Sequence, residues 1–175
     1  MRPIDIPVQD EVSIADFRDA IAKCIDALDT GAIVHNNWEF KYNWQETVDY
    51  LTPTGSNVVH AWLVSVSEIN EESVLEGGDV LYLPLTVKIW GLIGYEYGTS
   101  NESRQATLEK ECLQIIKVLY MNRLHFGMDN AENFDKVGTL TFDEIDVKAW
   151  GTGNDILVAQ GQMEVRWKTL LQKQN

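Results

Sequence analysis

The first long apolar rhythm begins just after Ser13, where Ile14, Phe17, Ile21, Cys24, Ile25 and Leu28 recur at helical spacing and stop at Gly31. Ser13 followed by Asp16 has the spacing of a capping box, so an amphipathic helix is expected to start there. Upstream, residues 1–12, with Pro3, Pro7 and alternating Ile4, Ile6 and Val8, read as an extended arm. Downstream, "NWEFKYNWQ" alternates with period two: Trp38, Phe40, Tyr42 and Trp44 fall on one face and Glu39, Lys41, Asn43 and Gln45 on the other. That is the period of a half-buried strand, whose aromatic face either packs on the core or meets a partner.

Two runs rich in Val, Ile, Leu, Tyr and Trp follow, from Val58 to Ile69 and from Val80 to Tyr97, with the acidic "NEESVLEGGD" between them. They predict two long antiparallel strands joined by a loop containing Gly77 and Gly78. In the second run Leu81, Leu83, Leu85, Val87 and Ile89 share the buried face, while Pro84 lacks a donor and points to a sheet edge or a bulge. From Thr99 to about Tyr120 the period changes to helical. Leu108, Cys112, Ile115 and Leu119 form one row and Ala106, Leu113, Ile116 and Tyr120 a second, which together predict a wide apolar face over a sheet. Ser100 or Asn101 is the expected cap, and Glu102 suits the helix start.

The chain closes with "TLTFDEIDVKAW" and "DILVAQGQMEVRWKTL" around the Gly151 to Asn154 turn, a hairpin pattern. Leu140 and Phe142 are even-numbered whereas Ile145, Val147 and Ala149 are odd, so a β-bulge is expected near Asp143 and Glu144. These elements predict one α+β domain spanning residues 1–175. It would be a mostly antiparallel sheet with two amphipathic helices packed on one face, plus long hairpins.

Charge narrows the function classes. Fourteen basic residues against 27 acidic ones leave a net −13, which repels phosphate unless a local basic stripe overcomes it. The densest basic stretch along the chain, "RWKTLLQK", spaces Arg166, Lys168 and Lys173 too widely to read as more than a solvated end. No apolar run is long enough for a membrane span. Cys24 and Cys112 lie on helical stripes, and with no signal peptide at the start of the sequence they read as reduced, buried thiols of an intracellular chain.

Candidate chemistry is sparse. His35, His60 and His125 have no metal-ligand spacing, so neither a metal nor a cofactor is expected. The glycines of "GLIGYEYG" lie within and at the end of a strand, and no Lys-Ser or Lys-Thr follows them to hold a phosphate. Gly98 to Ser103 therefore reads as a strand-to-helix turn. A small-enzyme alternative would assemble a site from His60, His125, Asp143 and Glu144. For partner contacts the candidates are Trp38, Phe40, Tyr42 and Trp44, with Glu71, Glu72, Glu76 and Asp79 of the acidic loop.

The strand "LPLTVKIWGLIGY", a polar turn, the helix "SRQATLEKECLQIIKVLY" and a closing hairpin, preceded by the "SIADFRDAIAKCIDAL" helix, resemble the tail-terminator proteins of tailed bacteriophages from about Ser13 to Thr169. That resemblance implies a non-enzymatic virion protein, made in the host cytoplasm. It implies a ring, usually a homohexamer, that caps the tail tube protein and meets a neck or head-completion protein. DNA would pass through its lumen without specific binding. Another neck or tail-completion subunit, or the cap of a phage-derived contractile device, is the alternative within the same class.

Overall fold

The computed structural model describes residues 13–37, 39, 43–69, 74–76, 80–94, 101–123, 126, 134–150 and 154–170. Within them lie helices α1 (Ile14–Asp26), α2 (Trp44–Tyr50) and α3 (Asn101–Asn122). The strands are β1 (Ile33–His35), β2 (His60–Ile69), β3 (Val74–Glu76), β4 (Val80–Gly94), β5 (Phe134–Val137), β6 (Thr141–Trp150) and β7 (Asn154–Leu170). All seven strands join one open sheet, ordered β1-β2-β4-β7-β5, with β3 also on β4 and β6 also on β7.

The predicted α1 forms as its caps dictate. The Ser13 hydroxyl accepts from the Asp16 amide at 3.1 Å, and the Asp16 carboxylate accepts from the Ser13 amide at 2.9 Å. Those bonds to Ser13 hold the Asp16 carboxyl below the usual carboxylate range. The long β2 and β4 pair antiparallel from His60↔Ile93 to Ile69↔Leu85. Pro84 faces Arg166 of β7, but on its other side the described ladder breaks between Ile69↔Leu85 and Val74↔Tyr82. The missing donor thus sits beside an interruption. The slip foreseen in β6 is present too, between Phe142↔Gly161 and Glu144↔Gln160.

Three features depart from the expected antiparallel sheet with two helices on one face. The sheet is mixed, because β1 runs parallel to β2, pairing Ile33↔Ala61 and His35↔Leu63. There are three helices, because residues 44–50 coil into α2 instead of extending the aromatic strand. The Asn43 side chain accepts from the Glu46 amide at 2.9 Å and donates to the Glu46 carboxylate at 2.6 Å. This local cap overrides the period-two alternation. Nor are the helices all on one face. α1 and α3 cover the larger core, with Phe17, Trp62, Val87, Ile89 and Met163. Leu51, at the end of α2, packs on the reverse side with Ala61, Leu63, Leu92 and Ile156. Tyr50 secures α2 to the sheet edge: its hydroxyl donates to Asn37 O at 2.8 Å and its ring stacks on His35 with centroids 3.8 Å apart.

The wide apolar face expected of α3 is divided. Leu108, Cys112, Ile115 and Leu119 are all buried, each leucine or isoleucine contributing about 1.5–3 kcal/mol relative to exposure. Leu113 and Tyr120 of the second row are exposed. The helix is rotated so that the first row is buried, Ile116 of the second packs at the edge of the core, and Ala106, Leu113 and Tyr120 face outward.

Candidate functional site

The core face of the sheet places one carboxylate where the sequence offered no hint of it. Glu111 projects from the buried side of α3 toward β2 and is itself buried. Its Oε2 accepts from Trp62 Nε1 at 2.9 Å and lies 3.0 Å from His60 Nε2, which donates in the tautomer carrying hydrogen there. One buried acceptor therefore satisfies two side chains that alternate along β2 on the same face.

A cleft of about 430 Å³ opens beside this cluster, between the turn after α2 and the first turns of α3. Its walls include Pro53, Ser56, Asn57, His60, Arg104 and Thr107. The polar groups there bond to the protein itself. Ser56 Oγ bonds Val58 O at 3.1 Å, Thr107 Oγ1 donates to Ser103 O at 2.9 Å, and buried Arg104 donates to Gly94 O. Ser56 is thus engaged with Val58, while His60 Nε2 is turned to Glu111, so these two do not form a nucleophile–base pair.

The small-enzyme constellation is not brought together. His60 opens β2, whereas Asp143 and Glu144 lie in β6, and β4 and β7 run between them. Three inter-strand spacings of about 4.8 Å separate the groups even before any offset along the strands. His125 lies outside the described residues. Among the described residues no group of three or more His, Cys, Asp or Glu side chains is placed to hold a metal ion. No helix among them is long and apolar enough to cross a membrane.

Of the proposed partner contacts, Trp44 opens α2 and is half-buried, and Glu76 ends β3 opposite Val80. Trp38, Phe40, Tyr42, Glu71, Glu72 and Asp79 fall outside the described residues, as does the arm 1–12.

Surface chemistry concentrates instead on the outer side of α3. Leu113, Tyr120 and Met121 are 68%, 54% and 72% exposed, and they are the large hydrophobic side chains that stand out into solvent among the described residues. At 100° per residue all three lie within one outward sector of the helix. Exposed Lys110 and Lys117 share that sector, and the Arg123 guanidinium lies 4.4 Å from the centroid of the Tyr120 ring. The second row of the helical pattern was the sequence signal for this strip; what the sequence could not show is that most of the row faces outward.

Both cysteines are free. Burial, and after it the neighbouring Glu111, pushes the Cys112 thiol up to about 12, and burial raises that of half-buried Cys24. Neither thiol is expected to react measurably with iodoacetamide within an hour at pH 8 in the native protein, whereas both should react in denaturant. Fast native labelling of Cys112, read by mass spectrometry, would mean that α3 lifts from the sheet. Neither a protein-family model nor a curated protein matches this sequence, so its functional reading has to come from the geometry of its surface.

Proposed function

We propose that the chain is a structural subunit acting through self-association, a tail terminator that forms a ring on the tail tube of a tailed bacteriophage and meets a neck or head-completion protein. The observation that carries the proposal is the strip of Leu113, Tyr120 and Met121 on α3. Leucine, tyrosine and methionine beside an arginine make a surface suited to the centre of a protein interface. The order of β4, α3 and the β6–β7 hairpin, which carries the resemblance to tail terminators, fits the same reading.

Charge indicates the form of assembly. Exposed Lys110 and Lys117 lie within the strip, exposed Glu109 borders it, and Arg123 follows the end of α3. A heterologous contact sets the strip against another part of a chain with net charge −13, and repetition of such a contact closes a ring.

Size-exclusion chromatography with light scattering tests this. The protein should run as a closed oligomer near six subunits, and Leu113→Glu with Met121→Glu should return it to monomer with an unchanged melting temperature. Both side chains are exposed, so the substitutions should change folding stability by no more than about 0.5 kcal/mol each. A wild-type protein that stays monomeric at about 100 μM, where even a weak contact of roughly 10 μM would be populated, ends the proposal.

A further inference from the structure

The exposed strip of α3 has a length and an order of charges that can be matched against the rest of the chain. At a rise of about 1.5 Å per residue, Leu113 and Met121 stand about 12 Å apart along the helix, with Tyr120 close to Met121. Exposed Glu109 precedes Leu113 by about one turn, and exposed Lys110 and Lys117 flank the apolar side chains. Arg123 lies past Met121, its guanidinium against the Tyr120 ring. Glu102, exposed near the start of the helix, is about 16 Å from Leu113 and outside this stretch. The strip therefore has a carboxylate at one end, apolar groups between lysines in the middle, and an arginine at the other end.

One segment of the chain carries the opposite order. Residues 1–12, "MRPIDIPVQDEV", lie outside the described residues, and their sequence places Arg2 first, Ile4, Ile6 and Val8 around Asp5 next, and Asp10 and Glu11 last. At about 3.3 Å per extended residue Ile4 and Val8 are about 13 Å apart, which matches Leu113 to Met121. With Ile4 set on Leu113 and Val8 on Met121, Arg2 falls level with Glu109, Asp5 between Lys110 and Lys117, and Asp10 and Glu11 at the Arg123 end. In the reverse direction Arg2 would meet Arg123 and Asp10 would meet Glu109. Charge thus selects one direction.

We propose that residues 1–12 of one subunit dock along the α3 strip of the next. Docking of this kind rests on the ring reading and supplies the second surface of its heterologous contact. Pro3 and Pro7 reduce the freedom the segment loses on docking, and a helix face asks no ladder hydrogen bond of them. The segment's own α3 is within reach as well, since Phe17 of α1 meets Phe126, just past α3, with centroids 5.1 Å apart. A strip closed by its own arm would leave the ring without this contact, so exchange between subunits is the form that joins them.

Paired cysteines in the full chain test it. Val8→Cys with Met121→Cys should give, on mild oxidation, a ladder of covalent oligomers on a non-reducing gel, whereas either single variant stops at dimers. A cross-link within one chain overturns the proposal, as does the absence of any cross-link. Asp10→Lys with Glu11→Lys should raise the concentration at which the ring dissociates about tenfold, with the melting temperature of the subunit unchanged. Adding Lys117→Glu and Arg123→Glu should bring it back to within about threefold of the wild type. A ring indifferent to the lysine substitutions, or weakened by them without recovery, overturns the docking and leaves ring formation standing. A wild-type protein that is monomeric at about 100 μM ends both.

Discussion

Replacing Gly91 with alanine is expected to destabilise the fold by about 3 kcal/mol, the upper end for overpacking a core. A Cβ at this position would lie 2.4 Å from Trp62 Cη2, 2.6 Å from Cζ3 and 2.8 Å from Cζ2, far inside van der Waals contact. Gly91 pairs with Trp62 across the β2–β4 ladder, and the indole lies over the glycine. Retreat is blocked on both sides. The ring is fully buried, Phe142 meets it edge-on with centroids 5.9 Å apart, and Nε1 is held by Glu111. Gly161 makes the same kind of room for Phe142, whose Cδ1 would be 2.8 Å from an added Cβ. Two aromatic rings, one from β2 and one from β6, thus meet over two glycines of the adjacent strands β4 and β7, and displacing one ring disturbs the other. Urea denaturation with an unchanged m value would measure the loss; a cost under about 1 kcal/mol would mean that Trp62 can tilt into unfilled space.

These glycines also show what could be read from the chain. The pattern placed "GLIGYEYG" in a strand, and Gly91 and Gly94 are indeed in β4; that Gly91 accommodates an indole 29 positions upstream has no local signature. Elements whose cause is local were legible. α1 follows from its cap and its period, the β6 bulge from a change of parity, and the buried row of α3 from its spacing. α2 was misread although its cause is local as well: Asn43 and Glu46 form a capping pair inside a stretch whose aromatic alternation was the louder pattern. β1 is too short, at three residues, to show any period, and exists because β2 offers it an edge. Charge was legible as a total and illegible as a distribution. Lys88, Lys136, Arg166 and Lys168 are spread over 80 positions, and register alone brings them to one face of the sheet, with Glu164 and Glu68 at adjoining positions. The aromatic and acidic contact residues expected from the sequence do not coincide with the exposed strip of α3. Period reveals that two apolar rows exist, but only packing decides which of them the sheet takes.

Glu111 ties α3 to β2 in the orientation that buries the first row, and its replacement carries the second large expected effect. Glu111→Leu should cost about 3 kcal/mol, because it leaves the buried Trp62 N–H without its acceptor and removes the partner of His60. Glu111→Gln keeps one carbonyl for Trp62 and should cost about half as much. If the loss comes from the orphaned indole, Trp62→Phe in the Glu111→Leu background should cost about 1 kcal/mol less than in the wild type, a coupling that a double-mutant cycle measures. Additive costs would instead assign the effect to helix packing. The anchor bears on assembly because Glu111 and Leu113 lie about 160° apart around α3, one bound to β2 and the other exposed. Fixing the first fixes the outward direction of the second. Glu111→Gln should therefore lower the concentration range over which the oligomer persists even at temperatures where the subunit remains folded, a shift that dilution followed by light scattering can detect. An oligomer as resistant to dilution as the wild type would show that the orientation of α3 is set by its leucines alone.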